Sequence, residues 1–305
     1  MKHQLIEKKQ HDQKINICKI VEKASSIFER LQGNFIPETS QDNEKIIQKN
    51  LEYWCQKIAK GDWQLFNKRL EWDNIKLKEV QQFLGNVSVK NQQNLPDWAK
   101  ILKEVVALNH QIYTSDIKQK LANGKGSKDK YPFEEILYPF IQVARNKLVE
   151  KAGMNYEILT ASAVACFEVN LLQELSWLTS NTLYLEFSLF RSRQTSSIQR
   201  LLQDLSRTNS TKVYEMFVSK MLAGDLVSFL EEYAVLSRLI GKTISLWVEA
   251  NAEFLNRLAL DLPQIKNTFF ANQEIGKVID LKLSLSDHHN GRRSVIILTF
   301  SSGDK

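Results

Sequence analysis

The sequence predicts a mainly α-helical protein closed by a single β-hairpin, and three observations carry that reading. Only 11 glycines and 5 prolines punctuate 305 residues, too few for a loop-rich or all-β chain. Apolar residues recur at intervals of three and four through most of the first 270 positions. Near the end, an alternating stretch at 278–285 and an apolar run at 295–300 flank a polar turn, the pattern of two antiparallel strands.

Taken in order, Ile17, Ile20, Val21, Ala24, Ile27, Phe28 and Leu31 mark one helix closed near Gly33. Leu51, Trp54, Ile58, Trp63, Phe66 and Leu70 mark a second helical region, interrupted at Gly61. Residues 87–94 read as a loop, and Pro96 opens a short helix through Trp98, Leu102 and Val106. A polar loop is expected at 123–130, where a Gly-Lys-Gly-Ser string lacks the spacing of a phosphate-binding loop. Phe133, Ile136, Leu137, Phe140, Ile141, Ala144 and Leu148 form the next stripe, with Pro132 suited to its first turn and Pro139 expected to kink or divide it. Val164, Phe167, Leu171, Leu172, Leu175 and Leu178 predict another helix. Two long ones follow, from Phe217 to an end at Gly241 and from Ile244 to an end before Pro263. Trp98, Trp177 and Trp247 lie on these stripes and are expected in the core.

Composition narrows the function. A chain with 43% hydrophobic and 25% charged residues has ample material for one large core or two ordinary ones. The net charge of +6 comes from 41 basic and 35 acidic residues that are interspersed, and no nucleic-acid-binding signature accompanies them, so nucleic acid is not an expected partner. Cys18, Cys55 and Cys166 are far apart and lack metal-ligand spacing; they read as reduced thiols. No run approaches the ~20 apolar residues of a membrane span, and a cytoplasmic, non-membrane-spanning protein is the expectation.

The chemistry concentrates in the hairpin turn, Asp287-His288-His289-Asn290-Gly291 followed by Arg292 and Arg293. A carboxylate and an imidazole on a tight turn suit positioning a phosphate, a metal-associated water or a proton, and the arginines suit phosphate oxygens. The plain alternative is a solvated polar turn. Glu186 and Arg191, inside an otherwise apolar run, read as structural, paired with each other or with groups on neighbouring helices, and not as catalytic. His3, His11 and His110 have no nearby constellation and receive no role. A two-stranded ribbon is marginal alone, so the sheet is expected to continue beyond Lys305.

Several stretches, in order, resemble a known family. They are Leu95-Pro96-Asp97-Trp98, Pro132-Phe133-Glu134-Glu135-Ile136-Leu137-Tyr138-Pro139-Phe140 and Ser180-Asn181-Thr182-Leu183-Tyr184-Leu185-Glu186-Phe187. Further on come Phe229-Leu230-Glu231-Glu232-Tyr233-Ala234-Val235-Leu236-Ser237-Arg238-Leu239, Glu253-Phe254-Leu255-Asn256-Arg257-Leu258 and the turn Ser286-Asp287-His288-His289-Asn290-Gly291. Together they resemble the N-terminal part of the dehydratase domain of class II lanthipeptide synthetases, the type 2 lantibiotic biosynthesis proteins.

The resemblance implies a helical bundle-like region followed by the first β-hairpin of an incomplete kinase-like N-lobe. Residues 1–50 would be a polar helical extension, 51–270 the helical region of the dehydratase, and 271–305 the start of the kinase-like lobe. Such enzymes transfer the γ-phosphate of ATP to Ser or Thr of a precursor peptide, bound through its leader and modified in its core. They then eliminate the phosphate to leave dehydroalanine or dehydrobutyrine, and a zinc-dependent cyclase domain adds cysteine thiols. By motif matching, Asp287 and His289 fall on the family's Asp-x-His site, while His288 fills the variable position between. The chain stops short of the family's Tyr-Lys-Pro strand, whose lysine contacts ATP. The isolated chain is therefore expected to be inactive, holding no cofactor and no metal, with ATP and Mg²⁺ entering only if a second polypeptide supplies the rest of the dehydratase and the cyclase. The alternative readings are a non-catalytic leader-peptide-binding module and a structural remnant.

Overall fold

The computed structural model describes residues 16–112, 131–194 and 207–305. The 123–130 loop, His3 and His11 lie outside the described residues. The fold is mainly α-helical with two small antiparallel sheets. Among the described residues no helix is long and apolar enough to cross a membrane.

The first apolar stripe forms two short helices, α1 (Ile17–Ala24) and α2 (Ile27–Leu31), not one. The break is chemical. Ser26 caps α2, its hydroxyl accepting from the Glu29 amide while Glu29 accepts from the Ser26 amide. That reciprocal arrangement is a capping box, and its Ser-x-x-Glu signature is present in the sequence. Strand β1 (Phe35–Pro37) follows, then α3 (Gln41–Ala59) and α4 (Trp63–Trp72). Lys60 and Gly61, both at positive φ, end α3 and turn the chain. After α5 (Leu77–Gln81), residues read as loop from the sequence supply strand β2 (Val87–Val89), which pairs with β1. Three-residue strands carry too little alternation to be recognised without their partner.

Helix α6 (Asp97–Ile112) leads to the described part that begins at Tyr131. Helix α7 (Glu134–Ala152) runs on through Pro139, which removes only one hydrogen bond, close to the helix start. Pro132 precedes this helix and is not in its first turn. Helix α8 (Ala161–Gln194) is 34 residues long. Trp177 lies on its outer face, 82% exposed, because it is out of phase with Leu171 and Leu175, which are buried.

The helix expected from Phe217 to Gly241 is divided instead. Helix α9 (Arg207–Lys220) meets a π-helical turn, Met221–Asp225, where Gly224 takes a φ of 142°. Helix α10 (Leu226–Glu232) ends at Tyr233, and α11 (Ala234–Phe270) then runs 37 residues through both Gly241 and Pro263. Gly241 does not end a helix; it permits a crossing. A Cβ built there would lie 2.5 Å from the carbonyl oxygen of Trp98, so only glycine lets α11 approach the first turn of α6.

Helix α11 is the axis of the molecule, packing on α1, α6, α7 and α8. One continuous core runs from Ile17 and Ile20 through Trp98, Leu137, Phe167, Ile244 and Leu255 to Val278 and Phe300. A smaller cluster at Leu51, Cys55, Phe66, Leu70 and Val80 holds α3–α5 together. Glu29 joins the two ends of the sequence. Its carboxylate accepts from the Trp98 indole (2.8 Å) and from Arg238 of α11 (3.1 Å). Burial pushes this carboxyl up, but hydrogen bonds from Ser26 and Trp98 and the nearby Arg238 charge outweigh it and hold the group below its usual value.

The chain closes with strands β3 (Val278–Lys282) and β4 (Ile297–Phe300), the expected hairpin, with a bulge between Val278 and Asp280. Replacing Gly241 by Ala forces the new methyl against the Trp98 carbonyl where α11 crosses α6. The expected loss is about 1–3 kcal/mol, read as a lower urea midpoint by circular dichroism; an unchanged midpoint contradicts this close approach.

Candidate functional site

The hairpin is held by a polar ridge on α8. Ser162, Cys166, Asn170 and Glu174 recur every fourth residue, which places them in one line along the helix. Each reaches the hairpin. Ser162 Oγ donates to the carbonyl of Ile279 (2.7 Å), Cys166 Sγ to Asp280 Oδ1 (3.3 Å) and Asn170 Nδ2 to Ser284 Oγ (3.2 Å). Glu174 forms an ion pair with Arg292. Just before the helix, the Thr160 amide donates to the carbonyl of Val278 (2.9 Å), beginning the attachment at the first residue of β3.

Beyond β3 and β4 the two arms stay loosely laddered up to the turn. Leu285 N donates to Val295 O (3.3 Å), and Ser286 Oγ accepts the Val295 amide (3.1 Å). His289 and Arg293 then exchange both backbone hydrogen bonds at 2.9 Å, closing a loop of Asn290, Gly291 and Arg292. All three take positive φ, at 31°, 84° and 74°. Glycine adopts this freely and asparagine tolerates it, but for arginine it costs about 1 kcal/mol or more. The strain is offset by what Arg292 reaches. Its side chain is 16% exposed and meets Glu174 at 23% exposed. Burial lowers the pKa of its guanidinium, so the Glu174 carboxylate is the group that keeps the buried charge compensated.

Arg293 points to the other wall. Its Nε and Nη2 donate to Glu253 Oε2 of α11 at 2.9 and 2.7 Å, and its Nη1 closes on the Asn290 carbonyl at 2.5 Å. Arg257, one turn further along α11, shares Glu253 at 2.5 Å. Hydrogen bonding from Arg293 lowers the pKa of the Glu253 carboxyl, with both arginine charges adding to the effect. Between α8, α11 and the turn lies a cavity of about 150 Å³, lined by these arginines and glutamates, Trp247, Asn251 and His288.

Asp287 and His289 are both solvent-exposed, and no hydrogen bond or ion pair joins them. The structure therefore presents them side by side without coupling them. His288, the intervening residue, is the one that lines the cavity. Of the two arginines considered for phosphate contact, Arg292 turns inward and Arg293 spans to α11. Of the structural partners considered for Glu186, one on a neighbouring helix is present: the half-buried Glu186 accepts from Tyr233 Oη (2.7 Å), while Arg191 is exposed. Glu174 and Glu253 were missed by sequence reasoning. The four-residue recurrence of polar residues inside the apolar pattern of α8 was the available signal for Glu174.

A family model described as a domain of unknown function, DUF4135, matches residues 233–305, about a quarter of the chain. The matched stretch holds α11, the hairpin and the turn together. It is consistent with a lanthipeptide synthetase-related family. No curated protein matches the chain.

Neutralising Glu174 as Glu174→Gln leaves Arg292 buried without a counter-charge. The urea midpoint should fall by the equivalent of about 1–3 kcal/mol, and Glu253→Gln, at the more exposed pair, should shift it less. An unaltered midpoint for Glu174→Gln contradicts the clamp.

Proposed function

We propose that this chain supplies the helical base and first hairpin of a lanthipeptide dehydratase, a kinase-like enzyme completed by groups outside residues 1–305. The observation that carries this reading is the division of the turn. Its arginines are anchored on two helices, while Asp287 and His289 face solvent, positioned for a second body to close over them. The family match over the same elements supports it.

The open side of the sheet supports it too. After β4 the chain turns at Ser301, Ser302 and Gly303, with the Phe300 amide donating to the Asp304 carbonyl (2.9 Å) and the Gly303 amide to Phe300 O (2.9 Å). That geometry sets Asp304 beside Phe300, on the edge of β4 that β3 does not cover. A further strand there would extend a two-stranded ribbon toward the size at which sheets are stable. Exposed apolar side chains at Leu285, Val295 and Ile297 lie along the same ribbon.

In this reading Asp287 and His289 hold the Ser or Thr side chain and its phosphate in place, and either can carry the proton removed before phosphate departs. ATP and Mg²⁺, when bound, supply the phosphoryl group and neutralise the charge of its transfer. Among the described residues no cluster of three or more His, Cys, Asp or Glu could hold a metal ion. The reading assigns the metal ligands to the completing lobe, with the cyclase on the same partner. The precursor peptide is the proposed substrate.

The test is mass spectrometry of a precursor peptide incubated with ATP and Mg²⁺. The purified chain alone should leave the mass unchanged, and the chain co-expressed with a complementing lobe and cyclase should remove water from Ser and Thr. Asp287→Ala or His289→Ala in that pair should lower the rate by about 10²-fold or more, the usual loss on removing a general acid or base. A folded, co-purified pair that leaves the precursor intact overturns the proposal.

A further inference from the structure

A second cavity, of about 320 Å³, opens where the C-terminal half of α8 meets the end of α9, the π-helical turn and α10. None of its lining residues belongs to the hairpin or its turn. The lining joins aromatic rings to carboxylates. Phe190 of α8 packs tilted on Phe217 of α9, with centroids 5.7 Å apart, and Phe229 of α10 packs on Tyr233 at 5.0 Å. Phe190 and Tyr233 are the half-buried members of these pairs, so each offers ring surface to the cavity.

The first pair already holds an ammonium. Lys220 Nζ lies 5.8 Å from the Phe190 centroid and meets Asp225 Oδ2 at 2.9 Å. Lys220 and Asp225 are five apart and come together because the turn between them is π-helical, with a repeat near five residues. A ring face, a carboxylate and an ammonium thus form a complete set. The second pair has the ring and the carboxylates without the cation. Glu186 of α8 accepts from Tyr233 Oη at 2.7 Å and, like Glu232, forms no ion pair among the described residues. Hydrogen bonding to Glu186, with burial and the charges of both carboxylates, pushes the Tyr233 hydroxyl up to about 12, so both acids act on the phenol. A half-buried carboxylate that accepts from one neutral hydroxyl keeps most of its acceptor capacity open. Arg193, the remaining cation of the lining, is exposed in the last turn of α8 and pairs with neither acid among the described residues.

We propose that this cavity binds an alkylammonium group, which lies against the Tyr233 ring and pairs with Glu186 and Glu232. An ammonium is drawn to the negative face of an aromatic ring, more strongly as water is excluded. Glu186 adds a counter-charge that the phenol holds in place. A metal ion suits the site less, because among the described residues the three carboxylates of the lining do not form a group that could hold one. At about 320 Å³ the space lies at the lower end of the ~300–1,000 Å³ typical of small-molecule pockets, room for a short aliphatic chain behind the charge. Met221 and Phe217 supply apolar surface for that chain. The ammonium can belong to a free diamine or to a lysine side chain of a peptide. Such binding is read directly and does not depend on the dehydratase reading.

The experiment follows the methyl resonances of the full chain labelled with ¹³C at methionine, of which there are four. Met221→Leu assigns the signal of the methionine that lines the cavity. Putrescine and Nα-acetyl-lysine amide are titrated separately at constant ionic strength. The controls are sodium chloride and the doubly acetylated lysine amide, which keeps the chain and loses the charge. The Met221 methyl should move saturably with putrescine, the lysine amide or both, and which of them is tighter identifies the source. Glu186→Gln keeps an oxygen that can accept from Tyr233, so the fold should persist while ammonium affinity falls about tenfold, the usual worth of a charge-assisted contact. Glu232→Gln, at an exposed residue, should weaken binding in the same direction and carries the test if Glu186→Gln does not fold. No response to either ammonium, an equal response to a control, or an unchanged affinity in the folded variant each overturns the proposal.

Discussion

Everything at the C-terminal end of this molecule depends on one line of side chains along α8. Ser162, Cys166, Asn170 and Glu174 hand the hairpin from β3 to the turn, through three hydrogen bonds and one ion pair. A free two-stranded ribbon has too few contacts to hold a fixed shape. Here the helix supplies the missing side of the sheet. The last member of the series, Glu174, also sets the backbone of the turn, because Arg292 accepts a positive φ to reach it.

Helix α11 gives the second support, and its position is fixed at the far end of the molecule. The bare Gly241 lets it lie against Trp98, and Glu29 binds Trp98 and Arg238 on both sides of that crossing. About two to four turns further along, the same helix presents Trp247, Asn251, Glu253 and Arg257 to the cavity beneath the turn. A small change in the α6–α11 approach would therefore be felt at the candidate site, since packed helices move as rigid bodies. The arrangement separates two tasks: arginines, glutamates and the indole make a fixed floor, and the carboxylate and imidazole stay available above it.

The sequence revealed the helical class and the hairpin with its polar turn, because amphipathic period and strand alternation are local properties. What it concealed depended on partners. Strands β1 and β2 are three residues each and exist through their pairing. Gly241 and Pro263 look like helix ends, yet tertiary packing carries α11 through both. Trp177 looked like core by composition and faces solvent by phase. At the site, Arg292 was visible as a cation, but its inward turn toward a glutamate more than a hundred positions earlier was not. His288, set aside in favour of its neighbours, is the histidine that reaches the cavity.

The central claim is that the turn is held stiffly while its chemical groups stay open to solvent. Amide hydrogen exchange at His289 and Arg293, whose backbones bond each other reciprocally, tests this most directly. The account predicts that both amides exchange far more slowly than an unstructured peptide, with Asp287 and His288 fast beside them. Exchange of all four at unstructured rates would mean that the α8 ridge does not hold the hairpin, and the account would fail.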